Sequence, residues 1–337
     1  SNQSHKPSGR PRPWYYQRDL PPPTPPPSPP PPPVHPCAAM AAPGTQLTGA
    51  AAPECADMTG IDLRGRDLSN IHFGQCDLTA ARFDGAILNG AAFDEVVSLA
   101  AANFTGASLV GARFHLGSAK AADFTRVDAA GAEFDGILMG ESPTTPTLKT
   151  TFAEADLSGV RFTHLFDAKH VVFDGANLAS ATVSSCIFSS SSFERVNLAG
   201  ASLEMVDFDS SKFSAAGPHS FQNFATAREV SFDHCSFGGT EQGGGIAFDG
   251  VQFEYASFSS ADVSGSSFRG CQLVPEADFS YTIAKGTVFD EATLQRGDFL
   301  ATVLEGASFH ASDLTEASFI DSNIARADFT AAIGLQT

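Results

Sequence analysis

The chain lacks several features that define common classes of protein. It contains no run of about 18 or more apolar residues, so no membrane-spanning helix is predicted. Neither an initiator Met nor a signal peptide is recognisable, which is consistent with a processed or trimmed product whose targeting sequence has been removed. Lysine and arginine together number 20 against 38 acidic residues, a formal net charge of −18. Direct nucleic-acid binding by so acidic a chain is therefore disfavoured.

Signatures of catalysis and of metal binding are also missing. The nine histidines are scattered, and no pair has metal-ligand spacing with a cysteine or a carboxylate. His164 and His170 form the densest cluster, near Asp167, and are interpreted as solvated loop residues. Glycine runs at 238–239 and 243–245 lack the lysine and following helix that phosphate binding needs. We therefore predict no catalytic, cofactor-binding or metal-binding residue and interpret the chain as a non-enzyme.

Phenylalanine, by contrast, is abundant and regularly spaced. Of the 29 phenylalanines, 26 fall on a five-residue period, usually with leucine on the alternate positions; Phe166, Phe221 and Phe224 are the exceptions. Neither a helix (period 3.6) nor a flat strand (period 2) turns one large apolar residue inward at every fifth position. A square coil with four five-residue sides does so. The period therefore predicts a solenoid, which grows by stacking and needs no second globular core.

The repeating unit is small–Asp/Asn–Leu/Phe–polar–Gly/polar, as at 155–159 (ADLSG), 176–180 (ANLAS) and 327–331 (ADFTA). This unit resembles the pentapeptide-repeat family, whose pattern is often written A(D/N)LXX, and the resemblance covers about 80% of the chain. The resemblance implies an all-β fold, a right-handed quadrilateral β-helix. The span from Leu63 to Phe329 would then form about 13 coils and, at about 4.8 Å per coil, a rod about 60 Å long.

Each position of the unit has a predicted role. The central Leu or Phe and the small residue two before it face the axis, because a large residue needs a small neighbour where four sides meet. Asp or Asn before the centre can bond the local backbone at a corner. Glycine two after the centre, as at Gly85 and Gly306, permits a turn that a β-carbon would hinder. Four cysteines occupy the inward small position and are interpreted as buried apolar groups: Cys76, Cys186, Cys235 and Cys271.

Four segments are predicted along the chain. Residues 1–36 form an extended, basic, proline-rich tail with 15 of the 21 prolines and a net charge of +3, which leaves −21 on residues 37–337. Residues 37–60 cap the first coil, whose backbone groups would otherwise be unpaired. Residues 61–330 form the β-helix, with interruptions near 139–151, 214–230 and 238–246 that are suited to specific contacts. Residues 331–337 form the C-terminal end.

Partner binding is predicted for the tail, because aromatic, basic and proline-rich segments suit grooves on other proteins. The alternative is a disordered tail. Cys37 and Cys55 lie 18 residues apart outside the repeat and could form a disulfide in an oxidising compartment, although two free thiols are the alternative. The predicted partner-binding residues are Arg10, Arg12, Trp14, Tyr15, Tyr16 and Arg18.

These features favour a non-enzymatic scaffold subunit that binds and stabilises a larger protein assembly through its rod and docked tail. The composition, rich in alanine and proline and low in lysine, and the family's occurrence in the thylakoid lumen favour an accessory subunit of a photosynthetic membrane complex. That role predicts a plastid or thylakoid-lumen location, peripheral to the membrane, with cytoplasmic or secreted locations as alternatives.

The alternative function follows from the acidic body. Some pentapeptide-repeat proteins resemble DNA in shape and charge and bind type II topoisomerases, so the resemblance also implies an acidic DNA-mimic regulator of a type II topoisomerase or of another nucleic-acid enzyme. However, 11 of the 37 acids in the body are aspartates directly before a central residue. The repeat itself explains those 11 as corner residues.

Overall fold

The computed structural model describes residues 57–141, 147–215, 221, 224, 226–239, 242 and 244–335. Every regular element in these residues is a parallel strand or an isolated parallel bridge, and the described residues contain no helix. The strands are β1 (Ala92–Asp94), β2 (Arg113–His115), β3 (Glu133–Asp135), β4 (Arg161–Thr163), β5 (Thr182–Ile187), β6 (Ser192–Val196), β7 (Ser202–Asp207), β8 (Lys212–Ala215), β9 (Thr226–Ser231), β10 (Gln252–Glu254) and β11 (Gln272–Leu273).

Four parallel ladders make up the four sides of the coil. Asp57, Asp62, Asp67 and His72 pair with residues 77, 82, 87 and 92, so four sides of five residues complete one turn. The prediction of an all-β quadrilateral solenoid is therefore confirmed. The repeat is already present at Asp57, before the residue at which the sequence pattern places its start. One ladder alone has thirteen members: Asp62, Arg82, Asn103, Asp123, Thr151, Val172, Ser192, Lys212, Ser236, Asp262, Ile283, Val303 and Asn323.

The side that contains most of the strands forms one continuous parallel sheet. Its strand order is β1-β2-β3-β4-β5-β7-β9-β10-β11, while β6 and β8 pair separately on another side. The central residues lie opposite one another in register, as Phe93 lies opposite Phe114 and Phe114 opposite Phe134. We call this side the nine-strand face.

The interior is a stack of phenylalanine rings. Phe114 stacks on Phe93 and Phe134 with ring centroids 4.5 and 4.6 Å apart, and it meets Phe104 and Phe124 edge to face at 6.0 and 5.7 Å. Both arrangements are favourable for aromatic rings. Phenylalanines one coil apart therefore stack, as their period of about 20 residues predicts.

The three phenylalanines outside the five-residue period differ in environment. Phe221 is buried and meets Phe213 and Phe248 edge to face, so it joins the interior stack despite its irregular spacing. Phe224 is partly buried against the same core. Phe166 is 63% exposed. Spacing along the chain therefore identifies the regular interior positions but misses one that an interruption contributes.

The aspartates before the central residues close the corners as predicted. All eleven accept a hydrogen bond from the backbone N–H two residues further on, as Asp156 does from Ser158 at 3.0 Å and Asp278 from Ser280 at 2.8 Å. These bonds satisfy local backbone donors at each turn. The others are Asp62, Asp67, Asp77, Asp123, Asp207, Asp262, Asp298, Asp313 and Asp328.

The turn position does not depend on glycine. Gly85 and Gly306 have φ angles of 67° and 69°, but Ala101 and Ala301 adopt 55° and 54° at the same position of the unit. A left-handed conformation costs a non-glycine residue about 1–2 kcal/mol. The backbone bonds between coils offset this cost, since the Ala101 N–H donates to the Lys120 carbonyl at 3.0 Å.

The register continues across two of the predicted interruptions. Asp123 pairs with Thr151 across 28 residues instead of 20, and Ser236 pairs with Asp262 across 26. The ladder therefore resumes in alignment beyond each interruption.

Candidate functional site

A small void lies in the interior of the solenoid, among phenylalanine rings of successive coils. That void measures about 10 Å³ and lies among Phe162, Phe173, Phe188 and Phe193. A space of this size is at the lower limit for one water molecule. This part of the interior is therefore filled by side chains.

The four described cysteines lie in the interior, as predicted. The thiols of Cys186, Cys235 and Cys271 each donate to a phenylalanine carbonyl of an earlier coil, at 3.4, 3.0 and 3.2 Å. Burial raises the pKa of Cys186 and Cys271 to about 12, and it raises the pKa of Cys76 and Cys235 as well. The reactive thiolate is therefore disfavoured at all four positions.

We expect these thiols to be unreactive in the folded protein. In a variant with Cys37 and Cys55 replaced by serine, Ellman's reagent should detect less than about one thiol per chain in native buffer near pH 8. After denaturation, all four described thiols should react. Fast labelling of the native variant would contradict the buried positions of the cysteines.

The nine-strand face carries ion pairs that link successive coils. The Arg113 guanidinium lies 3.2 Å from the Asp94 carboxylate, and that of Arg161 lies 3.4 Å from Glu133. Exposed pairs contribute little stability, about 0–1 kcal/mol each, but they neutralise charge and orient side chains. Further along the chain, Arg228 pairs with Glu204 and Glu254, and Arg296 pairs with Glu276 and Glu316.

Five of the described histidines contact carboxylates on the surface. His164 Nδ1 lies 2.8 Å from Asp135 Oδ1, and this hydrogen bond is the main cause that lowers the pKa of Asp135. His170 lies 3.5 Å from Glu141. These contacts agree with the interpretation of both histidines as surface residues. Within the described ranges, no group of three or more His, Cys, Asp or Glu residues could hold a metal ion.

A shallow concavity of about 770 Å³ lies on the nine-strand face. The residues that line it include Phe224 and Arg228, at the end of the interruption near 214–230, together with Val274 and Pro275. Gln252 and Gln272, which lie opposite each other in the ladder, also line it. Residues of the interruption near 214–230 and residues of regular coils thus line this concavity together.

The residues for which partner binding was predicted lie outside the described residues, as do both cysteines of the proposed disulfide. They therefore remain predictions. Among the residues that the structure does describe, no helical segment has the length and hydrophobicity needed to span a bilayer. The described surface has two kinds of feature. One is the set of outward side chains that repeat at the same position in successive coils, and the other is the described residues of the interruptions.

Family models match much of the repeat region. The family described as pentapeptide repeats (8 copies) matches residues 56–93, 168–214 and 298–330, and that described as pentapeptide repeats (9 copies) matches residues 248–293. A search of curated proteins found no similar sequence.

Solved structures with similar coils include a pentapeptide repeat protein from the Arabidopsis thaliana thylakoid lumen, at 27% identity over 32% of this chain and 65% of that chain (TM-score 0.22). Another is HetL, involved in heterocyst differentiation regulation in the cyanobacterium Nostoc sp. strain PCC 7120, at 20% identity over 84% and 92% (TM-score 0.17). A third is QnrB1, a plasmid-mediated fluoroquinolone resistance protein, at 12% identity over 82% and 89% (TM-score 0.33). The matched repeats, the four ladders and the phenylalanine interior show that this chain belongs to the pentapeptide-repeat family.

Proposed function

We propose that the protein is a non-enzymatic scaffold subunit that binds and stabilises a larger protein assembly. The observation that supports this proposal is the mutual bonding of outward side chains in successive coils. Asn177 donates to Asp156 at 3.1 Å and accepts from Asn197 at 2.9 Å, so three coils present one connected row. Side chains held in this way lose little conformational entropy when a partner binds.

The specific form of the proposal is an accessory subunit of a photosynthetic membrane complex in the thylakoid lumen. Its support is compositional: the chain has only six lysines in 337 residues and many alanines and prolines. In this role the tail residues around Trp14 would dock on another subunit, and the rod would hold adjacent subunits at fixed separation.

Association with an assembly can be tested in native extract. The full-length chain should migrate on a sucrose gradient with a complex much larger than itself, and a defined set of polypeptides should co-purify with it. Deletion of residues 1–36 should release these polypeptides if the tail docks. Migration of the intact chain at its own mass would contradict the scaffold role.

The acidic body supports a second candidate, regulation of a type II topoisomerase by DNA mimicry. Residues 37–337 carry a net charge of −21. Inhibition of supercoiling by the purified protein at micromolar concentration would favour this candidate, and the absence of any effect would exclude it. The ion pairs of the nine-strand face argue against that side as the mimic, because four of its carboxylates are already paired with arginines: Asp94, Glu133, Glu204 and Glu254.

A further inference from the structure

Lysine is concentrated at one place on the solenoid. Of the five lysines among the described residues, three lie within 120–169, and the other two are Lys212 and Lys285. The three are Lys120, Lys149 and Lys169, and they are separated by 29 and 20 residues in the sequence.

Backbone contacts bring these three lysines into one neighbourhood. The Thr150 hydroxyl, next to Lys149, donates to the carbonyls of Ala119 and Met139 at 3.0 and 2.7 Å. The Thr150 carbonyl accepts from the Val172 N–H at 3.0 Å. Residue 149 therefore lies between the coil that carries Lys120 and the coil that carries Lys169.

The acids of this neighbourhood are already engaged. Asp167 lies 2.7 Å from Lys120, and Glu141 lies 3.5 Å from His170. Lys149 and Lys169 are exposed, and neither forms an ion pair with a described residue. The intervening residues 142–146 have the sequence SPTTP, which contains no charged side chain. Two unneutralised positive charges thus lie on a body whose net charge is strongly negative.

Large apolar side chains are exposed beside these lysines. Phe166 is 63% exposed and Leu138 is 42% exposed, and their coils are adjacent because the Met139 N–H donates to the Asp167 carbonyl at 2.7 Å. Leu148, at the base of the interruption, is 50% exposed. We call Leu138, Leu148, Lys149, Phe166 and Lys169 the lysine patch. Exposed apolar clusters with a polar rim commonly mark interaction sites.

We propose that the lysine patch binds a short acidic segment of a partner protein that carries at least one large apolar side chain. This inference rests on the proposed scaffold role. It specifies which surface of the scaffold contacts the partner and which kind of segment that surface binds. The charge of the patch is opposite to the net charge of the surrounding body, so it favours an acidic segment. Phe166 and Leu138 provide the apolar contact that would anchor the segment.

A protein segment fits this surface better than an anionic membrane does. Each basic residue near an anionic bilayer contributes about 1 kcal/mol, and membrane recognition commonly uses clusters of 4–8 such residues. The net charge of −21 on residues 37–337 would repel an extended anionic surface. A short segment interacts mainly with charges within a Debye length, about 8 Å at physiological ionic strength, and is affected less by the distant acids.

The proposal can be tested by fluorescence anisotropy with a labelled 12-residue peptide of glutamate and leucine with one central phenylalanine. We expect the full chain to bind it with micromolar affinity and the Lys149→Glu/Lys169→Glu variant to bind at least about fivefold more weakly. The matched control is Lys212→Glu/Lys285→Glu, which makes the same change in net charge elsewhere and should change the affinity less than about twofold. Equal weakening by both variants, or no binding by the full chain, would overturn the proposal.

Two further measurements separate the possible partners. Phe166→Ser should weaken binding of the peptide, whereas Ile320→Ser, at a position of similar exposure (64%), should not. Phosphatidylserine vesicles should not retain the protein; retention that Lys149→Glu/Lys169→Glu abolishes would assign the patch to membranes and overturn the proposal. If the sucrose-gradient complex forms equally well with this variant, the scaffold role stands and the assignment of the patch fails.

Discussion

Replacement of Phe114 by alanine is expected to lower the free energy of unfolding by about 3–5 kcal/mol. The ring is fully buried and contacts four other rings, two stacked and two edge to face. Its removal would leave a cavity that neighbouring coils cannot close, because the backbone bonds between coils hold them at a fixed separation. Urea unfolding followed by far-ultraviolet circular dichroism would measure the change.

Phe166→Ala is the matched control for this substitution, because the same side chain is lost from an exposed position. Its effect should be within about 0.5 kcal/mol. Because repeat proteins can unfold in parts, hydrogen exchange of amides in coils adjacent to residue 114 would show whether the loss is local. Equal destabilisation by the two substitutions would contradict the distinction between interior and surface phenylalanines.

Ala176→Asp and Ala179→Asp should differ by at least about 3 kcal/mol in their effect on stability. Ala176 is buried at the inward small position, whereas Ala179 lies on the outer side of the same five-residue unit. A carboxylate at 176 would be desolvated among aromatic rings without a partner, and one at 179 would remain hydrated. Both variants introduce the same charge, so the difference measures the direction in which each side chain points.

The pH dependence of the Ala176→Asp variant provides an independent check. Burial should raise the folded-state pKa of the new carboxyl above its unfolded value, because the low-dielectric interior disfavours the charged form. The folded state then binds more protons than the unfolded state between these two pKa values. The penalty should therefore be relieved as the pH falls towards about 4 and be largest near neutral pH. A penalty independent of pH would indicate that the side chain had reached water.

The five-residue period predicted the interior because each interior residue is specified by its immediate sequence neighbours. The eleven corner aspartates are local in the same sense, since each bonds the backbone two residues away. Phe221 was not identified as an interior residue because its position depends on the path of a loop. The left-handed turns at Ala101 and Ala301 were not predicted either. Every side of the coil ends in a turn, but the left-handed conformation was predicted from the sequence only at glycine.

The lysine patch could not be predicted from the period for a related reason. Lys149 lies in an interruption, and it approaches Lys120 and Lys169 only because Thr150 bonds to both neighbouring coils. Which outward side chains become neighbours depends on the number of residues in each turn. Paired residues in successive coils are separated by 20 to 28 residues in the sequence. A change in that number alters which side chains become neighbours while leaving the inward residues unchanged.

The resumption of the ladder at Thr151, after eight residues more than a regular coil contains, has a consequence for how this molecule can change. Each turn is aligned by bonds to the turn before it, so the alignment of the stack does not depend on how many residues separate two paired positions. Segments can therefore be acquired, lost or exchanged at such a point without any adjustment in the rest of the stack. A scaffold of this kind can gain new contacts through segments inserted between turns, while the contacts made by the other turns stay unchanged.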